Sequence, residues 1–320
     1  MKPHGKTLIL TGGDGYIGSH LSRYLLQLGN QVITLDRDRS LKYGNPAEGI
    51  ESHYIDLSTA KSVIEIVRIL AKLPSDSIVV HLAAEKSVEE SAKNPELYMF
   101  NNLETTRNIL SAMGEVGLTR IVFASTAAVY APRVGLDRVD ENSELLAMNA
   151  YAESKIICES LIKSKEYGEF NFVNLRFFNV VGAESKSLIE KSGRNLIPEI
   201  LRSLGNNSVF KIFGNDYPTY DGTCVRDFID VRDLINAITL SFNLIESKPF
   251  GVINIGNGVG YSVLDVVKKI QQKAPQLRYE FTDRRVGDQA YVVADSSLAQ
   301  KLLGWKPVRD LDAMIESVWT

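Results

Sequence analysis

Cysteine is nearly absent: Cys158 and Cys224, far apart, are the only two in 320 residues. That count argues against a disulfide framework or a cysteine zinc site. Four scattered histidines, His4, His20, His53 and His81, lack ligand spacing, so no metal is expected. No run approaches the roughly 18 unbroken apolar residues of a membrane span. The first apolar stretch, Leu8-Ile9-Leu10, is too short for the core of a secretion signal. Charge of one sign is scarce too, and a formal net charge of -3 offers little to nucleic acid or a membrane surface. Low-complexity segments and internal repeats are missing. What remains is ordinary globular composition on a chain long enough for a large core in one domain or two. The expectation is a cytoplasmic enzyme without metal.

Strand-like and helix-like runs alternate from the start. Lys6–Thr11, Gln31–Asp36, Ser52–Ile55, Ile78–Leu82, Arg120–Ser125 and Phe172–Phe177 read as strands. Tyr16–Leu28, Thr59–Leu73, Pro95–Val116 and Asn149 to about Tyr167 read as helices. Short apolar strands separated by amphipathic helices predict an α/β chain: a Rossmann-type, doubly wound parallel sheet covered on both faces. Beyond Gly182 the pattern loosens, which predicts a smaller, mixed α/β C-terminal lobe for substrate. The expected division is 1–181 and 182–320. A helix at Val231–Leu244 and a strand at Val252–Ile255 leave about 230–256 free to rejoin the main sheet.

The segment Thr11-Gly12-Gly13-Asp14-Gly15-Tyr16-Ile17-Gly18 joins the first strand to the first helix. Glycines allow a tight turn and let backbone N–H groups approach a pyrophosphate, and the helix N-terminus adds unpaired donors. A glycine cluster alone could be only a turn; the strand before and helix after favour a dinucleotide site. Asp36 ends the second strand where a carboxylate can bind the adenosine ribose, which favours NAD over NADP. Arg37 and Arg39 could pair with an extra phosphate, although solvated loop charges are their simpler reading. Asp56 and Leu57 follow the third strand on the adenine side, and Leu82, Ala83 and Ala84 close the fourth beside the cofactor.

Tyr151 and Lys155 stand four apart on one helical face. A free phenol titrates near about 10, and an adjacent ammonium together with a positive nicotinamide would lower it. Tyr151 could then take a hydroxyl proton while hydride leaves the same carbon. Ser125 and Thr126 end the preceding strand with two hydroxyls, and Thr126 can share the proton with Tyr151.

These residues resemble the extended short-chain dehydrogenase/reductase family, most closely its UDP-galactose (UDP-glucose) 4-epimerases, over nearly the whole chain. The glycine and tyrosine motifs mark the superfamily; IFGNDYPT and VRDFI, within 212–229, are more specific to the epimerases. The resemblance implies that Lys86 and Asn101 line the nicotinamide, with Ser125 and Phe178 as further cofactor contacts. For a UDP-sugar it implies Lys86, Thr126, Tyr151, Asn179, Asn195, Leu196, Phe213, Arg226, Arg285 and Asp288. Arg226 and Arg285 suit a diphosphate, and Asp288 a ribose hydroxyl. Val292 matches the position that sets pocket width, which implies room for N-acetylated sugars; a one-residue slip to Tyr291 would reverse that inference. Departures are Thr126 for the usual serine, Val180 for proline and Asp230 for histidine.

A 4,6-dehydratase shares the first oxidation, but that family carries Asp-Glu where this chain has Ala127-Ala128. A net reductase and a non-catalytic cofactor-sensing scaffold are the other readings; scaffolds commonly lose the tyrosine or lysine present here. In related enzymes the long helix and the tyrosine helix pair between subunits, which implies a homodimer.

Overall fold

A computed structural model describes residues 4–37, 43–133, 135–191, 195–246, 248–285 and 287–319. Arg39 lies outside the described residues.

The first half of the chain runs β1 (Thr7–Thr11), α1 (Tyr16–Gln27), β2 (Gln31–Asp36), β3 (Ile50–Tyr54), α2 (Ser62–Leu70) and β4 (Ile78–His81). There follow α3 (Val88–Lys93), α4 (Pro95–Val116), β5 (Arg120–Thr126), α5 (Ala150–Lys163) and β6 (Asn171–Phe177). Next come β7 (Asn179–Val181), α6 (Leu196–Gly205), β8 (Phe210–Phe213), β9 (Val225–Asp230), α7 (Val231–Ser241) and β10 (Gly251–Ile255). The last elements are β11 (Gly260–Ser262), α8 (Val263–Lys273), β12 (Tyr279–Thr282), β13 (Tyr291–Val292), α9 (Ser297–Leu303) and α10 (Leu311–Val318).

Seven strands form the main sheet in the order β10-β6-β5-β4-β1-β2-β3. The pairs from β5 across to β3 are parallel. β1 and β4 are buried at every position, as apolar strands covered on both faces must be. On one face α2, α4 and α5 pack Ile66, Leu70, Ile109, Met113 and Ile162 over Ile9, Ile33, Val79 and Phe123. This is the Rossmann-type doubly wound architecture.

Two compact units divide the chain: Met1–Val129 with Ala147–Arg176 and Ile235–Ile253, and Tyr130–Leu146 with Phe177–Leu234 and Asn254–Thr320. The chain crosses between the units several times, with Ile235–Ile253, inside the 230–256 stretch left free to rejoin the main sheet, in the first and 130–146 in the second. The excursion 130–146 joins the second unit through hydrogen bonds. Val139 N donates to Val293 O at 2.8 Å, and Asn254 N donates to Glu141 Oε1 at 2.7 Å. Nothing local in the sequence announces those long-range bonds. Within the second unit β9 is flanked by β11 and β13 and also pairs β7, while β8 pairs β12. Its core sets Ile197, Ile200, Val267, Ile270, Met314 and Ile315 around Ile212 and Phe228. Among the described residues no helix is long and apolar enough to cross a membrane, and no acidic, histidine or cysteine group is placed to hold a metal.

Most boundaries agree with the sequence reading within a few residues. α5 is an exception, stopping at Lys163 rather than near Tyr167, and Lys165 takes a left-handed φ of 65° in the turn that follows.

Candidate active site

The glycine turn is built by steric necessity. Gly12 has φ +70°, its N–H donates to Leu35 O at 2.8 Å, and a Cβ there would lie 2.9 Å from Ala83 N. A Cβ on Gly18 would lie 2.1 Å from Gly12 O, so α1 packs against the turn only because that position is bare. Gly15 caps α1 with no side-chain hydrogen bond, leaving the first turn's N–H groups facing the loop rather than a cap. The Asp36 carboxylate at the end of β2 accepts from Asp14 N at 2.9 Å and Arg37 N at 2.8 Å. This cradle fits a dinucleotide: a bare turn for pyrophosphate and an anion at the ribose position that disfavours a further phosphate. Arg37, the possible phosphate partner, lies 3.0 Å from Glu85 Oε1 instead.

The remaining expected cofactor residues are held by contacts of their own. Leu57 is buried in the core with Ile55, its carbonyl accepting from Asn108 Nδ2 at 2.8 Å, while Asp56 holds Ser58 in a local turn. Leu82 N and Ala83 N both donate to Thr11 Oγ1 at 3.1 Å, fixing the end of β4 to β1. Lys86 Nζ sits 5.7 Å from the centre of the buried Tyr16 ring, and Asn101 Nδ2 is 3.5 Å from Glu85 Oε1. Ile17 and Ala84 are partly buried, and Phe178 is buried.

β5 and α5 present the candidate catalytic side chains. Asn149 caps α5, accepting from Ala152 N at 2.9 Å, so Tyr151 falls in its first turn and Lys155 one turn later. Lys155 is buried, donates to Ala124 O at 2.8 Å and lies 4.6 Å over the Phe123 ring. Burial pulls its ammonium down to about 8, against the neighbouring Cys158 and Glu159. Burial pushes the Tyr151 phenol up to about 12, the hydrogen bond with Thr126 working the other way. The ammonium is directed to the Ala124 carbonyl, so the charge that would make Tyr151 a base at neutral pH is not supplied by this pair alone. The Ser125 hydroxyl donates to Glu159.

A pocket of about 200 Å³ lies in the second unit. It brings together Asn179, Asn195, Leu196, Phe213, Arg226, Arg285 and Asp288, drawn from β7, α6, β8, β9 and the loop before β13. Arg226 donates to Gln289 O at 2.7 Å and lies 3.4 Å from Asp288 Oδ1, while the Arg285 guanidinium stacks 3.8 Å over Phe213. Two guanidiniums beside amides and an aromatic face can take a nucleoside diphosphate. Val292 pairs Arg226 in register and Tyr291 pairs Val225. Register partners share a sheet face and neighbours alternate, so Val292 stands on the Arg226 face and Tyr291 on the other.

Residues 8–256 match the NAD dependent epimerase/dehydratase family. The chain belongs to that family. The UDP-glucose 4-epimerase of Halalkalibacterium halodurans is 36% identical over 324 residues, covering 98% of this chain and 94% of the relative. Among solved structures, UDP-glucose 4-epimerase from Bifidobacterium longum in complex with NAD+ and UDP has TM-score 0.88 and 32% identity, covering 98% of this chain and 97% of the other. UDP-glucose-4-epimerase from Stenotrophomonas maltophila with bound NAD and formylated UDP-arabinopyranose has TM-score 0.89 and 31% identity, covering 99% and 97%.

This epimerase/dehydratase-family chain also uses residues that motif reading missed. Glu159 forms a buried pair with Arg176, 2.7 Å at its closest, and receives Ser125, tying α5 to β6 and β5 beneath Lys155. Asp227, beside Arg226 on β9, accepts from Asn257 N at 2.7 Å, Gly258 N at 2.8 Å and Ala294 N at 3.1 Å. Burial pushes its carboxyl up to about 6 despite those bonds. Asp230 is clasped by Arg232, 2.7 Å at the closest oxygen, which accounts for a carboxylate in the place of the family's frequent histidine. In the sequence Asp227 shows only as a charge inside VRDFIDV and Asp230 only as a departure from histidine, and neither signal names a partner.

Proposed function

We propose that this protein is a UDP-sugar 4-epimerase that inverts carbon 4 of UDP-glucose and UDP-galactose through a 4-keto sugar. The observation carrying the reading is the grouping of Thr126, Tyr151 and Lys155 on β5 and α5 in the unit that holds the dinucleotide turn. Family membership and relatives crystallised with NAD and UDP support it.

NAD, held by the glycine turn and Asp36, would supply a reversible hydride acceptor and a positive charge. Tyr151 takes the proton of the sugar's 4-hydroxyl and gives it back after the keto sugar has turned over. Thr126 holds the same oxygen and shares that proton. Lys155 keeps a cation at the helix's first turns, its Nζ already fixed by Ala124 O. Gly12, Gly15 and Gly18 expose backbone donors for the pyrophosphate, and Asp36 orients the ribose. Arg226 and Arg285 hold the diphosphate of UDP with Asp288, Asn179, Asn195, Leu196 and Phe213, leaving the hexose free to rotate about its bond to that anchor.

Ala127 and Ala128 form the short 3-10 turn after β5, a pair without the acid and base that elimination of water requires, which favours epimerase over dehydratase. Val292 on the Arg226 face supports acceptance of N-acetylated sugars. A cytoplasmic homodimer completes the reading, supported by two free buried cysteines and by Leu97 and Phe100, exposed three residues apart on α4.

The test is incubation with UDP-glucose, UDP-galactose and their N-acetyl counterparts, with chromatographic separation of products. Tyr151→Phe should abolish interconversion by orders of magnitude while the fold persists. A stoichiometric gain of NADH, or near-normal turnover by the variant, would overturn the assignment.

A further inference from the structure

Thr11 ends β1 immediately before the glycine turn. Its hydroxyl oxygen accepts from Ala83 N and from Leu82 N, which it shares with the Thr11 carbonyl, and lies 2.7 Å from His81 Nδ1. A hydroxyl has two lone pairs and one proton. With both lone pairs engaged, the remaining contact must be donation from Thr11 to Nδ1. The neutral ring then carries its proton on Nε2 and donates to Thr106 Oγ1 at 3.1 Å. Thr106 continues in the same direction, its one proton facing Asn102 O at 2.9 Å and Cys158 Sγ at 3.1 Å. The Asn102 side chain accepts from Glu85 N at 2.8 Å and donates to Ser154 Oγ at 2.9 Å. Ser154, next to Lys155, donates to the carbonyl of Tyr151 at 2.8 Å. Thr11, His81, Thr106, Asn102 and Ser154 are all at most 2% exposed.

We propose that His81, held as the Nε2–H tautomer, is a positioning residue whose hydrogen-bond chain locks the catalytic helix to the dinucleotide turn. The proposal rests on the epimerase reading for its consequence but not for its geometry. The opposite tautomer would aim a third donor at Thr11 Oγ1 and orphan that hydroxyl's proton, a costly arrangement in a buried, low-dielectric site. Such a network is stiff in one arrangement only. His20 offers an internal contrast: its Nδ1 lies 2.8 Å from Tyr16 O, a carbonyl that can only accept, which requires Nδ1–H.

Nitrogen-15 NMR of the histidine-labelled holoenzyme decides the tautomer, since only four histidines contribute and His81→Gln identifies one of them. His81 should show Nε2–H and His20 Nδ1–H; Nδ1–H at His81 overturns the proposal. Thr11→Val removes the hydroxyl at constant shape and should lower kcat about 10–100-fold, as a mispositioned reacting group does, with KM for the sugar nucleotide near wild type. Thr11→Ser restores the hydroxyl and should recover both kcat and the tautomer. The Tyr151 phenol titration, read as the difference from Tyr151→Phe, should also move in Thr11→Val whether or not any sugar is turned over. An unchanged kcat and an unchanged titration in Thr11→Val would refute positioning. Absence of all turnover in the wild type would instead sink the epimerase reading, leaving the tautomer and titration results to judge the chain.

Discussion

Adding one methyl group at Gly18 tests how the dinucleotide turn is built. A Cβ there would stand 2.1 Å from Gly12 O, 2.8 Å from Gly13 Cα and 2.9 Å from Gly13 C. All three are backbone atoms, so no side-chain rotation relieves the clash, and the turn must retreat by roughly an ångström from α1. Overpacking of this kind costs about 1–3 kcal/mol, and displacement of a binding loop by about 1 Å can cost on the order of 100-fold in rate. Gly18→Ala should therefore lower stability by that amount and lose its bound dinucleotide on gel filtration, with turnover falling about 100-fold. Gly205→Ala is the control, since a Cβ at that position in α6 meets nothing within 4 Å. There the same methyl should stabilise by up to about 1 kcal/mol through helix propensity. Urea melts, absorbance of retained cofactor and epimerisation rate measure the three effects. If Gly18→Ala keeps full cofactor occupancy and melts with the wild type, the packing argument for the turn is wrong.

Glu159→Gln leaves Arg176 buried without its anion and should destabilise the protein by about 3–5 kcal/mol in a denaturant melt; a loss below about 1 kcal/mol would show the pair to be dispensable. His81 is held down to about 3, from an ordinary 6.5, by burial and then by the Lys155 charge. The unfolded chain therefore takes up a proton that the folded chain refuses, so stability falls as pH drops from about 6.5 toward about 3. In His81→Gln that part of the acid-side slope should vanish; identical slopes in the two proteins would contradict it. Val292→Tyr should suppress turnover of N-acetylated UDP-sugars while sparing UDP-glucose, and equal loss on both substrates would refute the role given to Val292.

The elements set by local pattern were the legible ones. β2 and α4 have the bounds read from sequence, Gln31–Asp36 and Pro95–Val116, because an apolar run and a Pro-to-Gly span carry their own stop signals. The short helix α3 escaped notice, having little apolar period to announce it. The glycine turn, Tyr151, Lys155 and Thr126 were also legible, since a few neighbouring residues define each motif.

By itself the sequence determined the alternation of strands and helices, the dinucleotide turn and the order of chemistry-bearing residues, all properties of backbone sterics and short-range spacing. Only the tertiary structure decided that 130–146 joins the second unit, that Ser125 serves Glu159, and that seven scattered residues line one pocket. It alone raised the Tyr151 phenol and selected one His81 tautomer. Desolvation and the direction of a hydrogen bond depend on atoms brought close from distant positions, and no spacing along the chain records them.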